Sequence, residues 1–119
     1  GGDKYKIFSV DIEPWSIDKQ VFVEPNVETM ASPSAALRVQ TRIAALRKEF
    51  PGPAFAILDA DHGAANVTLE IQMLIPILQP GDYIIVEDTN LDGHEFAVAP
   101  GWGPSPYDAI THFMAMNRL

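Results

Sequence analysis

A chain of 119 residues with 47% hydrophobic content and a net charge of −8 is sized for one soluble core. It has no cysteine, which excludes disulfides, thiol catalysis and thiolate metal sites. Every Lys and Arg except Arg118 lies at or before Lys48, while ten carboxylates (Glu49, Asp59, Asp61, Glu70, Asp82, Glu87, Asp88, Asp92, Glu95 and Asp108) fall between Glu49 and Asn117, which argues against a nucleic-acid partner. Glu49, Glu70 and Asp82 read as solvated surface acids. No apolar run approaches the length of a membrane span, and Gly1-Gly2-Asp3-Lys4-Tyr5-Lys6 lacks the apolar centre of a secretion signal. A cytoplasmic protein with no membrane partner is expected.

In chain order, Tyr5-Lys6-Ile7-Phe8-Ser9-Val10-Asp11 reads as a buried parallel strand closed by an acid. Residues 12 to 31, with Pro14 and Pro25, read as loop with one edge strand at Gln20-Val21-Phe22-Val23. Ser32-Pro33 suits a helix start, and Val39, Ile43, Leu46 and Phe50 share the face that follows, before Pro51-Gly52-Pro53 stops it. Ala54-Phe55-Ala56-Ile57-Leu58 is a second strand, running into Asp59-Ala60-Asp61-His62. A helix over 64–78 shows Val67, Ile71, Leu74, Ile75 and Leu78 on one face, with Pro76 disturbing its last turn. Gln79-Pro80-Gly81 turns into a third strand, Asp82-Tyr83-Ile84-Ile85-Val86, running into Glu87-Asp88-Thr89-Asn90. A loop rich in Gly and Pro leads to Ser105-Pro106, which caps a final helix with Ile110, Phe113 and Met114 as its buried stripe.

Strand, crossover helix and strand make the last two strands parallel neighbours whose C-terminal tips share one edge. Open α/β sheets bind ligands at that edge. Carboxylates gathered there repel one another unless a cation neutralises them, and oxygen donors of this kind suit Mg²⁺, Ca²⁺ or Mn²⁺. A divalent-metal site is therefore expected.

The ordered series Asp59-Ala60-Asp61-His62, the Pro76 helix, Gly81-Asp82-Tyr83, Val86-Glu87-Asp88-Thr89 and Gly103-Pro104 before a helix resembles the cephalosporin-hydroxylase-like, macrocin-type group of class I S-adenosylmethionine-dependent O-methyltransferases. The likeness spans roughly residues 5 to 117. It implies a truncated Rossmann-like α/β sheet of mostly parallel strands with flanking helices, forming one partial domain over 1–119. It also implies a methyl acceptor that is a hydroxyl on a sugar or secondary metabolite, with S-adenosylmethionine and Mg²⁺ or another divalent cation as cofactors.

By that resemblance Glu87 and Asp88 are metal ligands, and the upstream ligand is Asp59 or Asp61, which spacing does not separate. His62 stands where related sugar methyltransferases place a catalytic base. Asp11, at the tip of its strand, stands where the family holds the cofactor ribose, and Asp59 is a second cofactor-side candidate. Trp102, in Gly101-Trp102-Gly103, is placed to stack on a substrate ring or to anchor its loop.

The family's first strand and glycine-rich cofactor turn should precede residue 5. Without that central strand the sheet edges ending at Asp11 and Asp59 need another partner, so a homo-oligomer is expected. The alternative to an O-methyltransferase is a catalytically silent metal-binding or oligomerisation module of the same fold.

Overall fold

Residues 5–13, 15 and 17–117 are described by the computed structural model. The chain divides into two compact units, Gly1–Gly52 and Pro53–Leu119. Each contains one two-stranded parallel sheet.

The first unit runs β1 (Ile7–Asp11), a 3-10 helix (Lys19–Val23), β2 (Val27–Ala31) and α1 (Leu37–Glu49). β1 and β2 pair in parallel from Ile7 opposite Val27 to Asp11 opposite Ala31. A parallel pair needs a crossover and not a tight turn, and residues 12–26 supply it. The expected edge strand at Gln20–Val23 is a correction: these residues form the 3-10 helix, whose first turn is capped by Asp18 accepting a hydrogen bond from the Gln20 N–H at 2.9 Å. The strand of this region lies instead at Val27–Ala31.

α1 also begins later than Ser32-Pro33 suggests. Ser32 is buried, donates through Oγ to the Pro33 carbonyl at 2.9 Å and accepts from Arg38 Nε at 2.9 Å. Its hydroxyl is thereby committed before the helix starts, and Ala36 stands at the N-cap with no side-chain hydrogen bond. The expected apolar face holds, with Val39 and Leu46 buried and Ile43 and Phe50 half-buried.

On another face of α1, Arg42 grips Glu28 of β2 through two bonds of 2.6 Å, Nε to Oε2 and Nη2 to Oε1, and Lys6 Nζ lies 3.9 Å from Glu28 Oε1. The guanidinium holds the Glu28 carboxyl below its ordinary range. A depressed acid stabilises the fold above its unfolded pKa and loses that contribution as pH falls through its folded pKa. Arg42→Ala should therefore lower stability near neutrality by the small amount typical of a solvent-screened pair. The difference from wild type should vanish in denaturant titrations run well below the carboxylate range. An equal deficit at both pH values would assign the loss to packing of the Arg42 stem instead.

The second unit runs β3 (Phe55–Leu58), α2 (Ala64–Leu74), β4 (Tyr83–Val86) and α3 (Pro106–Asn117). β3 and β4 are parallel, from Phe55 opposite Tyr83 to Leu58 opposite Val86, as the strand–helix–strand pattern requires. Asp82 ties the start of this pair together: Oδ1 accepts from the Ala54 N–H at 2.9 Å and Oδ2 from the Gln79 N–H at 2.8 Å. It is a structural acid and not a solvated one.

The core of this unit is built on Leu58, Val67, Ile71, Met73, Leu74 and Ala109, with α2 packed on α3. Side chains of the size of Leu58, Val67, Ile71, Met73 and Leu74 gain roughly 1.5–3 kcal/mol each on full burial. α2 ends at Leu74, short of the expected residue 78, since Pro76 brings no N–H to continue the ladder and Ile75 is exposed. Glu70, expected in solvent, is only 3% exposed and accepts from Asn66 Nδ2 at 3.2 Å. In α3 Pro106 and Ala109 are buried, with Ile110 and Phe113 half-buried and Met114 exposed, which corrects the expected stripe. On the sheet, strand alternation leaves Phe55, Ile57, Tyr83 and Ile85 exposed on one side and Leu58 buried on the other.

Candidate metal and acceptor site

The last register pair of the second sheet is Leu58 with Val86, so the chain leaves both strands at the same edge, through Asp59 on one side and Glu87-Asp88 on the other. The Glu87 N–H still reaches back to the Leu58 carbonyl at 3.0 Å. One residue later Asp88 takes a left-handed conformation, φ 59°, which an Asp tolerates better than most side chains. Strand alternation ends there. Asp88 Oδ2 comes to rest 3.2 Å from His62 Nε2.

Asp59, His62 and Asp88 each place one ligating atom within 4.8 Å of the others, with Asp59 exposed and the other two half-buried. Two carboxylates and an imidazole converging from two strand ends form a donor set that suits a divalent cation such as Mn²⁺ or Mg²⁺. Asp61 is engaged elsewhere: its Oδ1 accepts from the Gly63 N–H at 2.8 Å and its carbonyl from Asn66 Nδ2 at 3.3 Å, closing the turn into α2. Glu87 is exposed, and among the described residues its carboxylate is not part of the converging group. Asp11 lies at the tip of β1 in the other unit, where Oδ1 accepts from the Glu13 N–H at 2.7 Å.

A loop over residues 89–105 returns to this edge. The Val98 N–H bonds the Asn90 carbonyl at 2.9 Å, the Ala99 N–H bonds the Leu91 carbonyl at 2.8 Å, and the Pro104 carbonyl accepts from the Ala64 N–H at the start of α2. The Trp102 ring thereby stands 6.5 Å from the His62 ring, centroid to centroid, at a tilt of 52°.

Asp92, which the sequence shows only as one acid among many, organises that loop. Its Oδ2 accepts from the N–H groups of Gly101 at 2.9 Å and Gly103 at 3.0 Å, and its carbonyl accepts from Ser105 Oγ at 2.7 Å. The Gly103 N–H above all, and then that of Gly93, holds its carboxyl below the ordinary aspartate range. Ser105 and Asp108 complete the arrangement as the start of α3, with the Ser105 N–H donating to Asp108 Oδ2 at 2.8 Å. His94 packs on Tyr107 with ring centroids 5.0 Å apart, and His112 is exposed on α3.

Residues 2–118 match the Rhamnosyl O-methyltransferase/CmcI family. A rhamnosyl O-methyltransferase of Mycobacterium tuberculosis (strain H37Rv) is 41% identical over 109 residues, covering 92% of this chain and 44% of the relative. The rhamnosyl O-methyltransferase of Mycobacterium leprae is 42% identical over 109 residues, covering 92% of this chain and 46% of the relative. The chain thus spans less than half the length of these curated relatives. No solved structure matches. Among the described residues no helix is long and apolar enough to cross a membrane.

Proposed function

This chain belongs to the Rhamnosyl O-methyltransferase/CmcI family, and on that premise we propose that it carries the metal-binding and acceptor-activating part of an S-adenosylmethionine-dependent O-methyltransferase acting on a sugar hydroxyl. The observation that carries this reading is the convergence of Asp59, His62 and Asp88 at the C-terminal edge of a parallel strand pair. The β3–β4 pair is read as part of a class I, Rossmann-like sheet, which binds its ligands at such an edge.

Methyl transfer breaks the carbon–sulfur bond of the sulfonium donor, forms a carbon–oxygen bond and releases the hydroxyl proton. A divalent cation, when bound, lowers the pKa of the acceptor hydroxyl and orients it. Asp59 and Asp88 would hold the cation, with Glu87 and Asp61 as flanking carboxylates that balance its charge.

His62 takes the released proton. His62 Nε2 lies 3.2 Å from Asp88 Oδ2, so the tautomer that carries its proton on Nε2 is held by that carboxylate and leaves the Nδ1 lone pair to accept the proton. Asp11 is proposed to accept hydrogen bonds from the cofactor ribose.

The test is transfer of a labelled methyl group from S-adenosylmethionine to a rhamnoside by the protein that carries this chain. Transfer should disappear on treatment with EDTA and return with Mg²⁺ or Mn²⁺. Transfer that proceeds unchanged under exhaustive chelation would contradict the metal-assisted reading.

A further inference from the structure

Trp102 is the large aromatic beside the catalytic edge, and it remains 47% exposed although its loop is heavily hydrogen-bonded. The anchoring of this loop is done by something else. The Asp92 carboxylate receives the N–H groups on both sides of Trp102, those of Gly101 and Gly103, and the Trp102 N–H itself bonds the Ala99 carbonyl at 3.0 Å.

The two glycines are required by this clamp. Gly101 has φ +87°, a conformation that L side chains rarely adopt, and a Cβ on Gly103 would lie 3.0 Å from the Ser105 nitrogen and 3.1 Å from Asp92 Oδ2. The backbone around Trp102 is therefore fixed, while its ring is held near His62 with much of its surface open.

We propose that Trp102 is the stacking wall for the acceptor's sugar ring and that Asp92 is the positioning residue that aims it. The face of a pyranose ring that carries C–H groups is apolar, and the face of an indole carries the negative side of the ring quadrupole, so the two attract with a preferred geometry. A sugar lying on Trp102 has its edge hydroxyls beside the His62 ring, 6.5 Å from the indole, and His62 in turn converges with Asp59 and Asp88. This inference rests on the sugar-acceptor reading above and deepens it by assigning the ring-binding surface.

Emission from Trp102 reads the proposal directly once the chain's other tryptophan, Trp15, is replaced by Phe. Titration of that variant with methyl rhamnopyranoside should shift the Trp102 emission saturably. Trp102→Ala should weaken the sugar about tenfold by calorimetry, the upper scale of an aromatic contact, and Trp102→Phe should restore most of it. Asp92→Ala should reproduce the loss and red-shift Trp102 before any sugar is added. Asp92→Asn, which keeps one acceptor oxygen, should fall between. Mn²⁺ affinity should stay unchanged in all four.

Sugar binding that leaves Trp102 emission and the Asp92→Ala affinity untouched would overturn the proposal. So would retained Mn²⁺ binding with no response to the sugar, which leaves the metal reading standing. Loss of both responses in the Trp15→Phe chain would remove the reading on which the proposal rests.

Discussion

Replacing both Asp59 and Asp88 by Ala will abolish the rise in melting temperature that Mg²⁺ or Mn²⁺ produces in the wild-type chain. A ligand bound only by the folded state, present at a hundred times its dissociation constant, stabilises by about 2.7 kcal/mol. For a domain of this size that is a shift on the order of 10 °C. The Asp59 and Asp88 carboxylates and the His62 imidazole bring ligating atoms within 4.8 Å of one another, so a cation also relieves the repulsion between the two carboxylates.

Single variants separate the ligands that spacing left open. Asp59→Asn should remove most of the shift. Asp61→Asn should leave it nearly intact and lower stability without metal, because the Asp61 carboxylate closes the turn into α2 through the Gly63 N–H. Glu87→Gln should produce a smaller loss than Asp88→Asn. A double Asp59/Asp88 variant with an undiminished shift would place the cation elsewhere.

His62→Ala will lower the rate of methyl transfer by roughly 10²–10⁴ near neutral pH, the usual contribution of a positioned general base. The cation-induced rise in melting temperature should survive, because Asp59 and Asp88 remain. The imidazole is one of three groups that converge, and the alternative role for it is as a ligand. A His62→Ala protein that loses the cation response together with activity would assign His62 to metal holding. One that keeps full activity would reduce it to a partner of Asp88.

Local pattern carried the parts of the fold where sequence period and tertiary burial agree. The strand at Phe55–Leu58, the helix from Ala64, the strand at Tyr83–Val86 and the helix start at Ser105-Pro106 were legible because each is bounded by its own turn chemistry. β2 was not legible. Val27-Glu28-Thr29-Met30-Ala31 follows Pro25 and alternates poorly, and the charge of Glu28 within it is met by Arg42, fourteen residues on. Gln20–Val23 has strand-like composition, yet Asp18 turns it into a 3-10 helix by a local hydrogen bond.

The site shows the same division. That Asp59 and Glu87-Asp88 share an edge followed from topology. Which carboxylates converge did not, because both strands end before their acids do. Asp61 closes the turn that leads into α2, while the left-handed backbone at Asp88 breaks the alternation that would otherwise separate Glu87 from it by a simple flip. Asp92 gave no signal of its own, since its partners Gly101 and Gly103 lie nine and eleven residues away in a loop without period. A carboxylate followed by a glycine-flanked aromatic is readable only after the loop's path is known.

The most direct measurement of the central claim is the anomalous scattering of manganese in crystals of this chain grown with Mn²⁺. One peak should lie within coordination distance of the Asp59 and Asp88 carboxylates, beside the His62 ring and facing Trp102, and it should be absent from crystals of the Asp59→Ala/Asp88→Ala variant. A manganese peak bound by other residues, or a well-ordered site edge with no peak at saturating Mn²⁺, would contradict a metal-assisted methyl-transfer site at this edge.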